Sequence, residues 1–220
     1  MKNTKLKILL CATKLFLEKG YTETYVTTIA NSLNISTGNL TFHYPTKEHI
    51  LAELVKQLCK LQLQVEVYKQ EEQPLMYGYL VELAVLASVS EDNEKMYDLM
   101  MAVYTHPMSV EIIRKNDAWR AMKAFCEYCP KWTETDYIMA ENIAFGIEYA
   151  MLRQENAERL SFRQRVESSM DAILKIYEVP VDVRGKVISE VMAMDYREKG
   201  SLVFDNFYLY LEEEMQKNKK

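Results

Sequence analysis

Residues 24–47 read TYVTTIANSLNISTGNLTFHYPTK, and the reading of this stretch decides the fold of the chain. Val26, Ile29, Ala30 and Leu33 form one apolar stripe at helical spacing. Asn34 follows, a residue type that tolerates the left-handed conformation of a tight turn, and Ile35 plugs that turn. Ser36 and Thr37 are good helix caps, and Gly38 has no side chain to block close approach of backbone to a ligand. Leu40 and Tyr44 point inward one turn apart. Thr37, Asn39, Thr41 and His43 are left facing outward, all able to hydrogen-bond and none acidic. The spacing predicts helices over 26–33 and 37–43 joined by a tight turn. That is the helix-turn-helix plan, whose second helix enters the major groove of DNA. A small polar hairpin inside an ordinary helical bundle would show the same spacing.

The residue types suit DNA. Asparagine can bond adenine through two hydrogen bonds, and threonine can donate to bases or touch a thymine methyl. Phosphates are met by backbone N–H groups at helix N-termini, by hydroxyls and by lysine. Thr27 and Thr28 start the second helix and Lys47 starts the fourth, all placed for that positioning role.

The run also resembles the N-terminal domain of the TetR family of regulators. That family's pattern is an amphipathic first helix followed by T-x-x-x-I-A-x-x-x-x-[VI]-S-x-G-x-L-Y-x-[HY]-F-x-x-K-E-x-[IL]. It stands here as Val26, Ile29–Ala30, Ile35–Ser36, Gly38, Leu40, His43–Tyr44 and Lys47–Glu48, with Ile50 and Leu51 following. The resemblance covers about residues 4–55. There are three departures: Thr41 where the family has tyrosine, Tyr25 where it has a small hydroxyl residue, and Asn34 where it has the turn glycine. The resemblance implies DNA contact by Thr27, Thr37, Gly38, Asn39, Thr41, His43, Tyr44 and Lys47. With the helix starts, the candidate DNA-binding set also takes in Thr28 and Ser36.

Outward from this stretch, glycine (6) and proline (5) are scarce in 220 residues, and strand-like alternation is scarce too. The fold class is all-α: an N-terminal three-helix head on a larger helical-bundle body, with domains at 1–50 and 51–220. Helices are expected at 4–19, with Leu6, Leu9, Leu10, Thr13, Phe16 and Leu17 on one face and Gly20 as the stop, and at 47–71. Residues 75–89, LMYGYLVELAVLASV, are apolar almost all round, so that helix belongs in the middle of a bundle. Further helices are expected at 92–105, 108–128, 134–156, 161–177, 181–198 and 201–216.

The net charge is −5, unusual for a partner of nucleic acid, but it is unevenly spread. Residues 1–60 hold eight lysines against four glutamates, whereas residues 61–220 hold 19 bases and 28 acids. A basic head suits phosphate contact, and an acidic body keeps DNA off the rest of the molecule. No stretch of about 18 apolar residues lacks charge, which argues against a transmembrane helix. Lys14, Glu18 and Lys19 interrupt the apolar N-terminal run, which argues against a signal peptide. A cytoplasmic location follows, with Cys11, Cys59, Cys126 and Cys129 reduced. Cys126 and Cys129 form a lone CxxC without a second pair or suitably spaced histidines, so they read as two small helix residues one turn apart rather than a zinc site. No metal or cofactor is expected.

The family resemblance implies a ligand-receiving, dimerising body. The 15 tyrosines and 13 methionines suit an apolar or aromatic ligand with a few polar anchors. The candidate ligand-binding residues are Tyr97, Met100, Met101, Tyr104, Phe125, Tyr137, Phe145 and Tyr149, and plain core packing is the alternative for each. A homodimer is expected through 134–156, where Ala140, Ala144, Gly146 and Ala150 allow close approach. Helix 161–177, with Phe162, Val166, Met170, Ile173, Leu174 and Tyr177, is the second candidate element of that interface, its stripe packing either on a second subunit or on the subunit's own body. The function expected is a sequence-specific DNA-binding regulator, a ligand-responsive repressor on a palindromic operator. A helical protein–protein adaptor without DNA function is the alternative. An enzyme ranks last, since the chain has no GxSxG, HExxH, P-loop or acidic metal cluster.

Overall fold

The computed structural model describes residues 2–64, 75–153, 160–196, 198, 206, 207, 209–211 and 213. The helices are α1 (Lys2–Lys19), α2 (Val26–Ser32), α3 (Thr37–His43), α4 (Lys47–Gln64), α5 (Leu75–Asp92), α6 (Glu94–Thr105), α7 (Pro107–Phe125), α8 (Glu134–Leu152), α9 (Phe162–Ile176) and α10 (Val181–Met192). No strand occurs among the described residues. The expected all-α class is what the chain adopts. No described helix is long and apolar enough to cross a membrane.

The helices fall into two compact units. The first joins residues 1–64 with 93–113 and 201–220; the second holds 65–92 and 114–200. In the first, α1 is the centre, packing on α2, α3, α4 and α6. Its buried residues are Ile8, Leu9, Ala12, Thr13, Leu15 and Phe16. Leu6, Leu10 and Leu17, expected on the buried face, are only half-buried. Neighbours on several sides widen the buried arc beyond a single stripe and turn it toward Ile8 and Ala12. In the second unit α5 packs on α8, α9 and α10. Leu80, Val81, Leu83, Ala84, Val85 and Ala87 are all buried, as its all-round apolar sequence requires.

Capping sets the helix ends. Asn93, Thr133 and Ser161 accept N–H bonds at the starts of α6, α8 and α9, the last two as full capping boxes. Two ends differ from expectation. α7 stops at Phe125, and Tyr128 and Cys129 both return their N–H to its carbonyl. Cys126 and Cys129 therefore lie in a turn, not on a helix. Cys126 is exposed, while Cys129 is buried and donates to Tyr177 O at 3.2 Å. α10 stops at Met192 rather than 198: Ala193 and Met194 close it with N–H bonds to Glu190 O and Val191 O, and beyond them Asp195 accepts the Glu198 N–H at 3.0 Å and caps a new turn. The stretch 65–71 expected to extend α4, residues 154–156, and most of 201–216 lie outside the described residues.

Candidate nucleic-acid interface

The head builds its presenting surface from the turn outward. Asn34 takes φ of 53°, the left-handed geometry its residue type allows. Leu33, Asn34 and Ile35 send their N–H groups back to Ala30 O or Asn31 O and close the turn. Ser36 then caps α3: its Oγ accepts from Asn39 N at 3.1 Å. Leu40 and Tyr44 are buried and seat α3 against the core of the first unit. The Tyr44 hydroxyl donates to Lys5 O at 3.4 Å, with the Lys5 ammonium over its ring. Burial first, then the charge of Glu53, pushes the Tyr44 phenol well above its ordinary range, so it stays protonated.

The candidate set divides by position. Thr27, Ser36, Thr37, Gly38 and Asn39 are exposed, and Thr28, Thr41 and His43 are half-exposed. Thr41 Oγ1 donates to Gly38 O at 3.2 Å, so its hydroxyl lies along the helix backbone. Tyr44 is largely interior. Lys47 is half-buried, and its Nζ donates to Tyr21 O at 2.7 Å and Thr22 O at 3.4 Å while lying 4.1 Å from the Tyr21 ring centroid. Burial lowers its pKa, with Glu48, Asp98 and Glu23 acting the other way. Lys47 thus ties the α1–α2 loop to the start of α4.

The same loop is held by α6. Asp98 accepts Thr22 N at 2.7 Å and Thr22 Oγ1 at 2.5 Å, and Lys95 donates to Glu18 O. Gly20 sits at φ of 91°, and a Cβ there would meet Asp98 Oδ2 at 2.8 Å, so glycine is needed on both counts. The sequence reading took Gly20 as a helix stop and missed Asp98, for which no local pattern exists 76 residues away. It also missed the exposed Phe42 (71%) at this surface, while Tyr25, noted as a departure from the family pattern, is exposed as well (59%). Tyr25 precedes α2 with an extended backbone and no side-chain cap, as expected of a residue with no short acceptor.

The candidate ligand residues separate as well. Tyr97, Met100, Met101 and Tyr104 lie on α6 in the first unit; Phe125, Tyr137, Phe145 and Tyr149 lie in the second. In the second, Phe125 stacks on Tyr177 at 4.1 Å and meets the edge of Tyr79, while Tyr137 lies 6.4 Å from Tyr177. Phe145 and Tyr149 instead carry Arg114 and Arg153 over their rings. Sequence reading missed Glu141, a buried carboxylate that accepts hydroxyls from Tyr79 at 3.1 Å and from Tyr177. Burial, then the charge of Asp117, pushes Glu141 up to about 7. Burial likewise pushes Asp117 up to about 6 against the pull of Arg120. The spacing Tyr137, Glu141, Ala144, Glu148 on one helical stripe was visible in the sequence, and all four are buried.

Residues 8–54 match the family model described as "Bacterial regulatory proteins, tetR family". No curated protein matches the chain in sequence. Among solved structures, Salmonella enterica GusR superposes with a TM-score of 0.51 at 21% identity, covering 80% of this chain and 95% of its own. Mycobacterium smegmatis AmtR gives a TM-score of 0.42 at 15% identity, over 85% of this chain and 93% of its own. The likeness to GusR is one of fold. The family match falls on the helices that build the surface described above.

Proposed function

We propose that this chain, whose residues 8–54 match the tetR-family model, is a DNA-binding transcriptional regulator, a ligand-responsive repressor that binds a palindromic operator as a dimer. The observation that carries the reading is α3 itself. It is capped, seated by Leu40 and Tyr44, and it presents Thr37, Gly38 and Asn39 to solvent with no acidic residue on the helix. In this reading residues 1–50 bind DNA and 51–220 receive ligand and pair subunits. Thr27, Thr28, Ser36, Thr37, Gly38, Asn39, Thr41, His43, Tyr44 and Lys47 form the DNA-binding set.

The dimer is proposed through α8. Met139 and Ile143 are 60% and 59% exposed, Gly146 and Ala150 are also exposed, and the four lie on one helical stripe. A Cβ on Gly146 would meet nothing within 4 Å, so a partner helix has room to approach. α9 adds less than its sequence led us to expect, because Val166, Met170, Ile173, Leu174 and Tyr177 are buried within their own subunit. Two-fold pairing calls for half-sites about one or two helical turns apart. The effector is proposed to be an apolar or aromatic small molecule, and the buried Tyr137 hydroxyl, without a hydrogen-bond partner among the described residues, supports a polar anchor. Such a ligand acts only through different affinity for the DNA-bound and free states.

A filter-binding titration of the full chain against duplex DNA over a range of salt tests the reading. Affinity should fall steeply as salt rises, because phosphate contact releases counterions. Absence of binding even to non-specific DNA at about 50 mM salt would favour the adaptor instead.

A further inference from the structure

This inference rests on the regulator reading and concerns how α3 reads bases. At 100° per residue, Gly38 and Phe42 occupy the pole of α3 opposite buried Leu40, one turn apart, with Asn39 and Thr41 to either side. Polarity alone sends a phenylalanine to the core, yet Phe42 is exposed. Its ring meets the edge of the His43 ring, centroids 5.3 Å apart and planes at 78°, which limits its swing. A helical side chain leans toward the N-terminus, so the ring is directed along the Gly38 side of the helix, yet none of its atoms comes within 4 Å of where a Cβ on Gly38 would stand.

Nothing in the fold requires that glycine. A Cβ at Gly38 would find only Ser36 Oγ, at 4.0 Å, and alanine is the better helix former. The outermost edge of the reading helix is thus a phenyl ring beside a bare backbone. A phenyl ring offers no hydrogen bond to phosphate or to base donors and acceptors. On the major-groove edges of the base pairs the apolar feature is the 5-methyl group of thymine.

We propose that Phe42 is a specificity-determining residue that packs its ring on the 5-methyl group of a thymine in each operator half-site, with Gly38 providing the clearance for that approach.

The test uses the full chain and a synthetic duplex obtained by selection from random DNA. Each thymine of a half-site is replaced in turn by deoxyuridine, which removes the methyl and nothing else. Wild type should lose about fourfold in affinity at one thymine per half-site, the factor that burial of one methyl carries. Phe42→Ala, with folding checked by its thermal melt, should bind both duplexes alike, and Phe42→Leu should keep part of the difference. If no thymine position responds in wild type, or if Phe42→Ala loses the same factor, the assignment is overturned while the regulator reading stands. If wild type selects no sequence and binds no DNA, the regulator reading falls and takes the assignment with it.

Discussion

Single residues in the head divide into those that hold α3 and those it presents, and the two groups should respond differently to mutation. Asn39 gives only its backbone N–H to the fold, through the Ser36 cap, and its side chain is exposed. Asn39→Ala should leave the melt unchanged, cost about 1–3 kcal/mol in operator binding and relax preference at one base pair. Lys47→Ala should weaken all sequences alike and lower the salt slope by about one unit. Its bonds to the Tyr21 and Thr22 carbonyls add a second effect, a lower melting temperature in the absence of DNA. Equal, small changes from both variants would remove α3 from the role of reader. The roles of Leu40, Ser36 and Asn34 were legible from residue type and spacing, since each acts on neighbours within a few positions. Phe42 and Lys47 were not. A seven-residue helix is too short for periodicity to assign every side, and the partners of Lys47 lie 26 and 25 positions away.

At the level of elements, α3 and α8 each combine a packing task with a placement that packing does not explain. In α3 the glycine is the exception: Gly38→Ala should raise stability by up to about 1 kcal/mol through helix propensity. The same variant should weaken DNA binding, because in the proposed complex the added methyl would occupy the face turned toward the bases. Stabilisation with unchanged affinity would show that Gly38 faces no ligand. In α8 the exception is Glu141, buried between the hydroxyls of Tyr79 on α5 and Tyr177 beyond α9, with Asp117 and Arg120 of α7 also acting on it. Its folded pKa, about 7, lies above its ordinary 4.5. A carboxyl raised in this way keeps its full contribution below pH 4.5, and stability falls as pH rises from there through 7. Asp117 contributes in the same direction up to about pH 6. Glu141→Gln should therefore flatten chemical-denaturation stability between pH 5 and 7.5 and be the more stable form at the upper end. An undiminished decline would place the titration elsewhere. Helix existence was readable among the described residues, because proline, glycine and capping residues punctuate the chain. The end of α10 was not, because Ala193 and Met194 close a helix whose apolar pattern continues.

For the whole molecule, the proposed function gives each chain one reading helix, and α3 is too short to hold a site against the excess of competing DNA by itself. In the proposed dimer, joining two copies would make the second half-site contact intramolecular, so operator affinity would depend on the subunit interface without any new base contact. The sequence pointed to small residues on α8, but two of them, Ala140 and Ala144, are buried in the subunit's own core. The outward face belongs to Met139, Ile143, Gly146 and Ala150, a division that depends on which side α5 covers and which no spacing rule supplies. Ile143→Glu places a charge at the middle of this face, where pairing would desolvate it at a cost of several kcal/mol. The variant should sediment as a monomer at micromolar concentration and keep the wild-type melt of its α-helical signal when extrapolated to low protein concentration. It should retain salt-dependent, non-specific DNA binding while losing operator affinity by two orders of magnitude or more, the range that linkage of two sites carries. A variant that stays dimeric would move the interface off this face of α8. A monomer that still holds the operator at full strength would show instead that one head suffices, and with it the palindrome would lose its physical basis.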